Sequence, residues 1–147
     1  MRGGKAMSAA SQLMQAIYAQ LKGDSAFMAR LGAGVISDRL RERVSLPAVI
    51  FSEIDSRDYS TASEKGEEHF LTLTIWGDGK RRKESQGLAA SVKQLLDDAA
   101  LELGAGQHLV SLRFLQERAG REKGKAEQSV SLRFRAVTEA LPEPDGP

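Results

Sequence analysis

The sequence predicts an α+β domain: a single antiparallel or mixed sheet of about four strands with two main helices on one face, in the order α-β-β-α-β-β, ending in a long β-hairpin. Three observations predict it. Apolar residues recur at three and four near the N-terminus, residues 69–76 alternate with period two, and a second helical stripe near 88–99 precedes two segments that share Ser-Leu-Arg-Phe. At 147 residues the chain has the length of one domain. The expected limits are a flexible extension over 1–7, the domain over 8–139, and a disordered tail over 140–147 that contains "LPEPDGP".

From a cap at Ser8 or Ser11, Leu13, Met14, Ile17, Tyr18 and Leu21 form one helical stripe that stops near Gly23. Asp24 then caps a short second piece with Phe27, Met28 and Leu31, broken by Gly32 and Gly34. "LPAVIF", 46–51, is the first main strand, with Pro47 at its start or on an edge because proline has no amide to donate. Residues 52–68, "SEIDSRDYSTASEKGEE", hold six acids against two bases and little to bury, which predicts a long mobile loop.

"HFLTLTIW", 69–76, sets Leu71, Leu73 and Ile75 on one face and Phe70, Thr72, Thr74 and Trp76 on the other. After Gly77-Asp78-Gly79, a helix carries Leu88, Val92, Leu95, Leu96 and Ala99 on one side. Lys80, Arg81, Arg82 and Lys83 have the wrong sign for a helix N-terminus, so either the helix starts nearer Ser85 or these cations serve a partner.

The last strands are predicted at 108–117 and 127–138. Pairing Leu112 with Phe134 would set Arg113 across from Arg133, so the expected register pairs Leu112 with Leu132, centred on Glu122. Each tetrapeptide then points Leu and Phe inward, Ser and Arg outward. The tip carries Arg118, Arg121, Lys123 and Lys125, read as a solvated turn or as an arm to a neighbouring subunit. The outward face collects Arg113, Arg133, Arg135, Thr72 and Thr74 beside Phe70 and Trp76, a composition that fits a protein interface.

The net charge of +1 gives no basic field for nucleic acid or membrane. Cysteine is absent and the two histidines are far apart in sequence, which argues against thiolate and histidine metal sites. No run is apolar and long enough to span a bilayer, so a soluble protein is expected. With no phosphate loop, nucleophile elbow or metal-ligand cluster, neither an enzyme nor a cofactor is expected. The alternative is a single-stranded nucleic-acid-binding module that uses Lys80 to Lys83 and the Arg/aromatic face, although the ribonucleoprotein signature is missing.

The ordered set "LKGDSAFMARLGAGVISDRL", "LPAVIF", "LTLTIW", "LAASVKQLL" and the doubled "SLRF", spanning about residues 8–138, resembles the tail-completion or tail-terminator proteins of long-tailed bacteriophages, prophages and gene transfer agents. The resemblance implies a structural virion protein without cofactor or membrane partner. Its implied form is a homohexameric ring on the head-proximal end of a tail tube, assembled in the bacterial cytoplasm and sited at the head-tail junction. There it would stop tube polymerisation and meet the tube protein and the head-completion or connector proteins.

DNA would pass through the lumen without sequence-specific binding, and a strongly basic channel would hold it back. The expectation is therefore that Arg113, Arg133 and Arg135 face protein. Asp55, Asp58, Tyr59, Glu64, Glu67 and Glu68 would face the lumen or a ring neighbour from a loop that orders on assembly.

Overall fold

A computed structural model describes residues 7–38, 46–77, 82–121 and 128–142. Helix α1 (Ala9–Lys22) starts at Ser8, whose hydroxyl accepts from the Ser11 N–H at 3.1 Å, so Ser8 is the cap of the two candidates. Leu13, Ile17 and Leu21 are fully buried. Helix α2 (Ser25–Leu31) is capped by Asp24, which accepts from the Phe27 N–H at 2.8 Å, and it ends at Gly32, where φ of +58° suits glycine.

Among the described residues the sheet has five strands, one more than expected, and the helices number three. Strand β1 (Val35–Ser37), the apolar pair after Gly34, lies parallel to β2 (Ala48–Asp58). Pro47 immediately precedes β2, and its carbonyl accepts from the Val35 N–H at 3.2 Å. Strand β3 (Gly66–Gly77), helix α3 (Arg82–Leu96), β4 (Gln107–Arg121) and β5 (Gln128–Ala140) complete the chain. The order across the sheet is β1-β2-β3-β5-β4, and every pair except β1 with β2 is antiparallel.

The helices cover one face, here called inner. Leu71, Leu73 and Ile75 of β3 and Leu132, Phe134 and Ala136 of β5 pack there against Leu88, Val92 and Leu96 of α3. Helix α3 starts at Arg82, ahead of Ser85, whose buried hydroxyl lies against Gly77 so closely that a β-carbon there could not fit. Ala99, expected on the helix, falls beyond its end.

Two expectations are overturned. Residues 52–68 do not form a long mobile loop: 52–58 extend β2, 66–68 begin β3, and only 59–65 turn between them. The backbone of 52–58 pairs with β3 along one side, with Ile54 and His69 facing inward, so the stretch is held as strand without a large apolar area of its own. Nor does Leu112 pair with Leu132. It faces Ala136, four residues from the expected partner, with Arg113 opposite Arg135 and Phe114 opposite Phe134; the ladder is already displaced where Arg121 meets Gln128, and single-residue bulges at Val110 and Leu115 each change the register by one step. The expected centre, Glu122, lies outside the described residues.

Candidate functional site

The outer face of the sheet carries transverse rows fixed by strand register. One row runs Asp55, Phe70, Arg135, Arg113, the next Glu53, Thr72, Arg133, Gln116, and the third Ile50, Thr74, Ser131, Arg118. The like charges of Arg113 and Arg135 are directly opposed, yet each has its own carboxylate. Arg135 Nε donates to Glu68 at 2.7 Å, and Arg113 Nε donates to Asp97 at 3.3 Å. The opposition that argued against such a register is thus neutralised from outside the hairpin.

Glu68 is shared: Arg57 approaches its other oxygen at 3.8 Å, and the bond to Glu68 is the main reason that the Arg135 guanidinium is held above its usual pKa. Asp97 also accepts from the Phe114 N–H at 2.9 Å. That bond, ahead of Arg113 and Lys93, holds its carboxyl below the usual range.

Aromatic rings complete the lattice. Phe70 lies between two guanidiniums, Arg57 and Arg133, each 5.3 Å from the ring centre, and Arg135 lies 5.5 Å from the centre of Tyr59. Side chains clamped in this way lose little freedom on docking. Thr74 is buried, bonded to Ser52 at 2.5 Å and Ser131 at 3.2 Å, while Trp76 and Thr72 are half-buried. Arg118 is exposed.

The remaining acids do not form one loop. Asp55 and Asp58 sit on β2, Glu67 and Glu68 on β3, and Tyr59 and Glu64 in the turn between them. Asp58 and Glu67 pair on the inner side, opposite to Glu68. Arg121 ends β4 with its side chain outside the described residues, as are Lys123 and Lys125 altogether. Of the basic run before α3, Lys80 and Arg81 also lie outside them, and Lys83 is exposed on the helix layer, away from the outer rows.

On the inner side, His69 is fully buried between Ser56 Oγ, 2.6 Å from Nδ1, and Thr138 Oγ1, 2.9 Å from Nε2. Burial lowers its pKa from 6.5, with nearby Glu67 pulling the other way. Both ring nitrogens meet hydroxyls and neither meets a carboxylate, so the row ties β2, β3 and β5 together without the orienting acid of an activated nucleophile. Among the described residues no group of three or more His, Cys, Asp or Glu could hold a metal ion.

Arg57, Asp97 and the His69 row were not singled out in the sequence.

These features define a small α+β domain with one sheet face buried under helices and the other carrying the charged and aromatic rows. The family model described as Tail completion protein gp17 matches residues 15–139, so the chain belongs to that family. Among solved structures, it is similar to a chain from the virion of a native gene transfer agent particle, with 27% identity and a TM-score of 0.81, covering 92% of this chain and 100% of that one. A further solved chain, 14% identical with a TM-score of 0.53, covers 95% of this chain and 100% of its own and shares the fold alone. Curated protein sequences offer no match.

Proposed function

We propose that the protein assembles as a hexameric ring at the head-proximal end of a phage-like tail tube, ends tube polymerisation and joins the tail to the head connector. The observation that carries this reading is the near-complete match to a gene transfer agent virion chain, together with family membership. The role is structural, and it places the protein at the head-tail junction of a virion or virus-like particle.

The outer face supports a docking role. Arg133 and Arg118 have no carboxylate partner among the described residues, whereas Arg113 and Arg135 are internally neutralised. The first pair is therefore the one left to meet acidic groups of the tube, the connector or a ring neighbour. Phe70, already held between two guanidiniums, supplies a rigid apolar anchor beside them.

Particles assembled without the protein test this. The expected products are tubes of uncontrolled length and heads without tails, both corrected when the protein is supplied. Tails of normal length joined to heads in its absence would refute the role.

A further inference from the structure

We propose that Glu68, with Asp97 in second place, is what keeps the outer face of the sheet from binding single-stranded nucleic acid. The inference concerns the selectivity of the chain by itself and holds or fails apart from the ring reading.

Without its carboxylates this face has the make-up of a single-strand binder. Register sets Arg135 beside Arg113, Arg133 beside Gln116 and Ser131 beside Arg118. Four guanidiniums therefore occupy three successive outer rows of β5 and β4, with about 7 Å between rows along a strand. Phe70 on β3 stands next to Arg135 in the first of these rows, and Tyr59, 51% exposed, opens the turn after β2. A cationic track with aromatic rings on a sheet is what phosphates and bases bind.

Each part of that track is occupied from within. Glu68 takes Arg135 at 2.7 Å and approaches Arg57 at 3.8 Å. It reaches both because it lies on the central strand, with Arg57 directly opposite on β2 and Arg135 diagonal to it on β5. Its side chain is only 14% exposed, so salt screens these pairs less than surface ones. Arg57 has a second carboxylate in Asp55 at 3.7 Å, whereas among the described residues Glu68 is the one acid paired with Arg135. Asp97 takes Arg113 at 3.3 Å.

The rings are covered too. Arg57 and Arg133 lie 5.3 Å from the centre of Phe70 and Arg135 lies 5.5 Å from that of Tyr59, in the places where a base would stack. What remains is Arg118 and Arg133, without carboxylate partners among the described residues. Two such cations can meet the carboxylates of a protein, but they make a weak polyanion site, because affinity for nucleic acid grows with the number of phosphates neutralised.

Fluorescence anisotropy of a labelled oligothymidylate, titrated with the purified protein between about 50 and 200 mM salt, tests this. The unaltered chain should bind weakly, with a log–log salt slope of about −1.4, that of two phosphate contacts. Glu68→Gln keeps the side-chain shape and removes the charge; it should tighten binding about tenfold at the low-salt end. Adding Asp97→Asn should bring the gain to about a hundredfold and the slope to about −2.8, that of four contacts. Arg133→Ala placed on Glu68→Gln should remove most of the gain, and Lys83→Ala, on the helix layer, should leave it.

Variants that keep the circular dichroism of the fold and bind no tighter than the unaltered chain would overturn the proposal. So would an unaltered chain that already binds as tightly as Glu68→Gln, or a gain that survives Arg133→Ala. Should Glu68→Gln not fold, Asp97→Asn alone decides through Arg113: binding about tenfold tighter upholds the screening of this face by its carboxylates, and unchanged binding overturns it.

Discussion

The two long hairpins are made of the same ladder and finished in opposite ways. The β2–β3 hairpin is sewn into the sheet on both faces, by the Ser56–His69–Thr138 row inside and by the Arg57–Glu68–Arg135 set outside. The β4–β5 hairpin is bulged twice, capped in the middle by Asp97 and Asp98, and left open along its outer strand. The first is tied down by side chains on both faces, while the second carries unneutralised cations; β2 beyond Ile50 and β4 both lack a further strand beside them among the described residues. The difference separates what stabilises the monomer from what is free to contact another chain.

The largest expected effect sharpens that separation. Phe134 is fully buried in a T-shaped contact with Phe114, their ring centres 5.8 Å apart. Phe134→Ala should destabilise the fold by about 3–5 kcal/mol in urea unfolding, as large cavities in cores do. Phe70→Ala, on the free face, should cost only about 1 kcal/mol, the worth of its cation–π contacts, and show its main defect in assembly. Equal losses of stability at the two positions would erase the distinction between the faces.

Next in size is the carboxylate that permits the Arg113–Arg135 opposition. A double-mutant cycle between Glu68→Ala and Arg135→Ala should return a coupling of about 1–3 kcal/mol, the range for hydrogen bonds to charged groups in a pair only partly exposed. A coupling near zero would mean that the hairpin tolerates the opposed arginines without help from β3.

His69 adds a pH-dependent contribution to the sewn hairpin. Its folded pKa is lowered below 6.5, so the unfolded chain binds the proton more readily. The stability it contributes is present above about pH 6.5 and is lost as pH falls through the lowered folded value. Thermal unfolding at a series of pH values should show this decline, and His69→Phe should flatten it over the same window. A decline unchanged by the substitution would assign the effect to other groups.

The smallest expected effect on the monomer is at the open edge. Arg118→Ala should change stability by less than about 0.5 kcal/mol, as exposed substitutions generally do, while weakening assembly. A clear loss of monomer stability would place Arg118 among the residues that hold the fold.

Where apolar period and burial agree, the sequence was readable: Leu13, Ile17 and Leu21 on α1, the alternation of 69–76, and the cap at Asp24 all stand in the structure. Residues 52–58 escaped because they pair through backbone while their side chains are mostly polar and exposed, so burial left no stripe to read. The hairpin register escaped for a different reason. The ladder is displaced already at Arg121 with Gln128, where polar side chains leave no pattern that fixes the pairing, and the two bulges, marked by the adjacent apolar pairs Leu109-Val110 and Phe114-Leu115, change it by one step each.

The free face was partly legible. Outward Arg and aromatic residues follow from alternation, but their neutralisation by Glu68 and Asp97 depends on strand order and on the turn after α3, which no local pattern encodes.

Electron cryo-microscopy of assembled tails would locate the protein. A ring of this chain is expected at one end only, the end that meets the head, with a symmetry-repeated contact between neighbouring copies. Copies distributed along the tube, or intact head-tail joints that lack the chain, would contradict it.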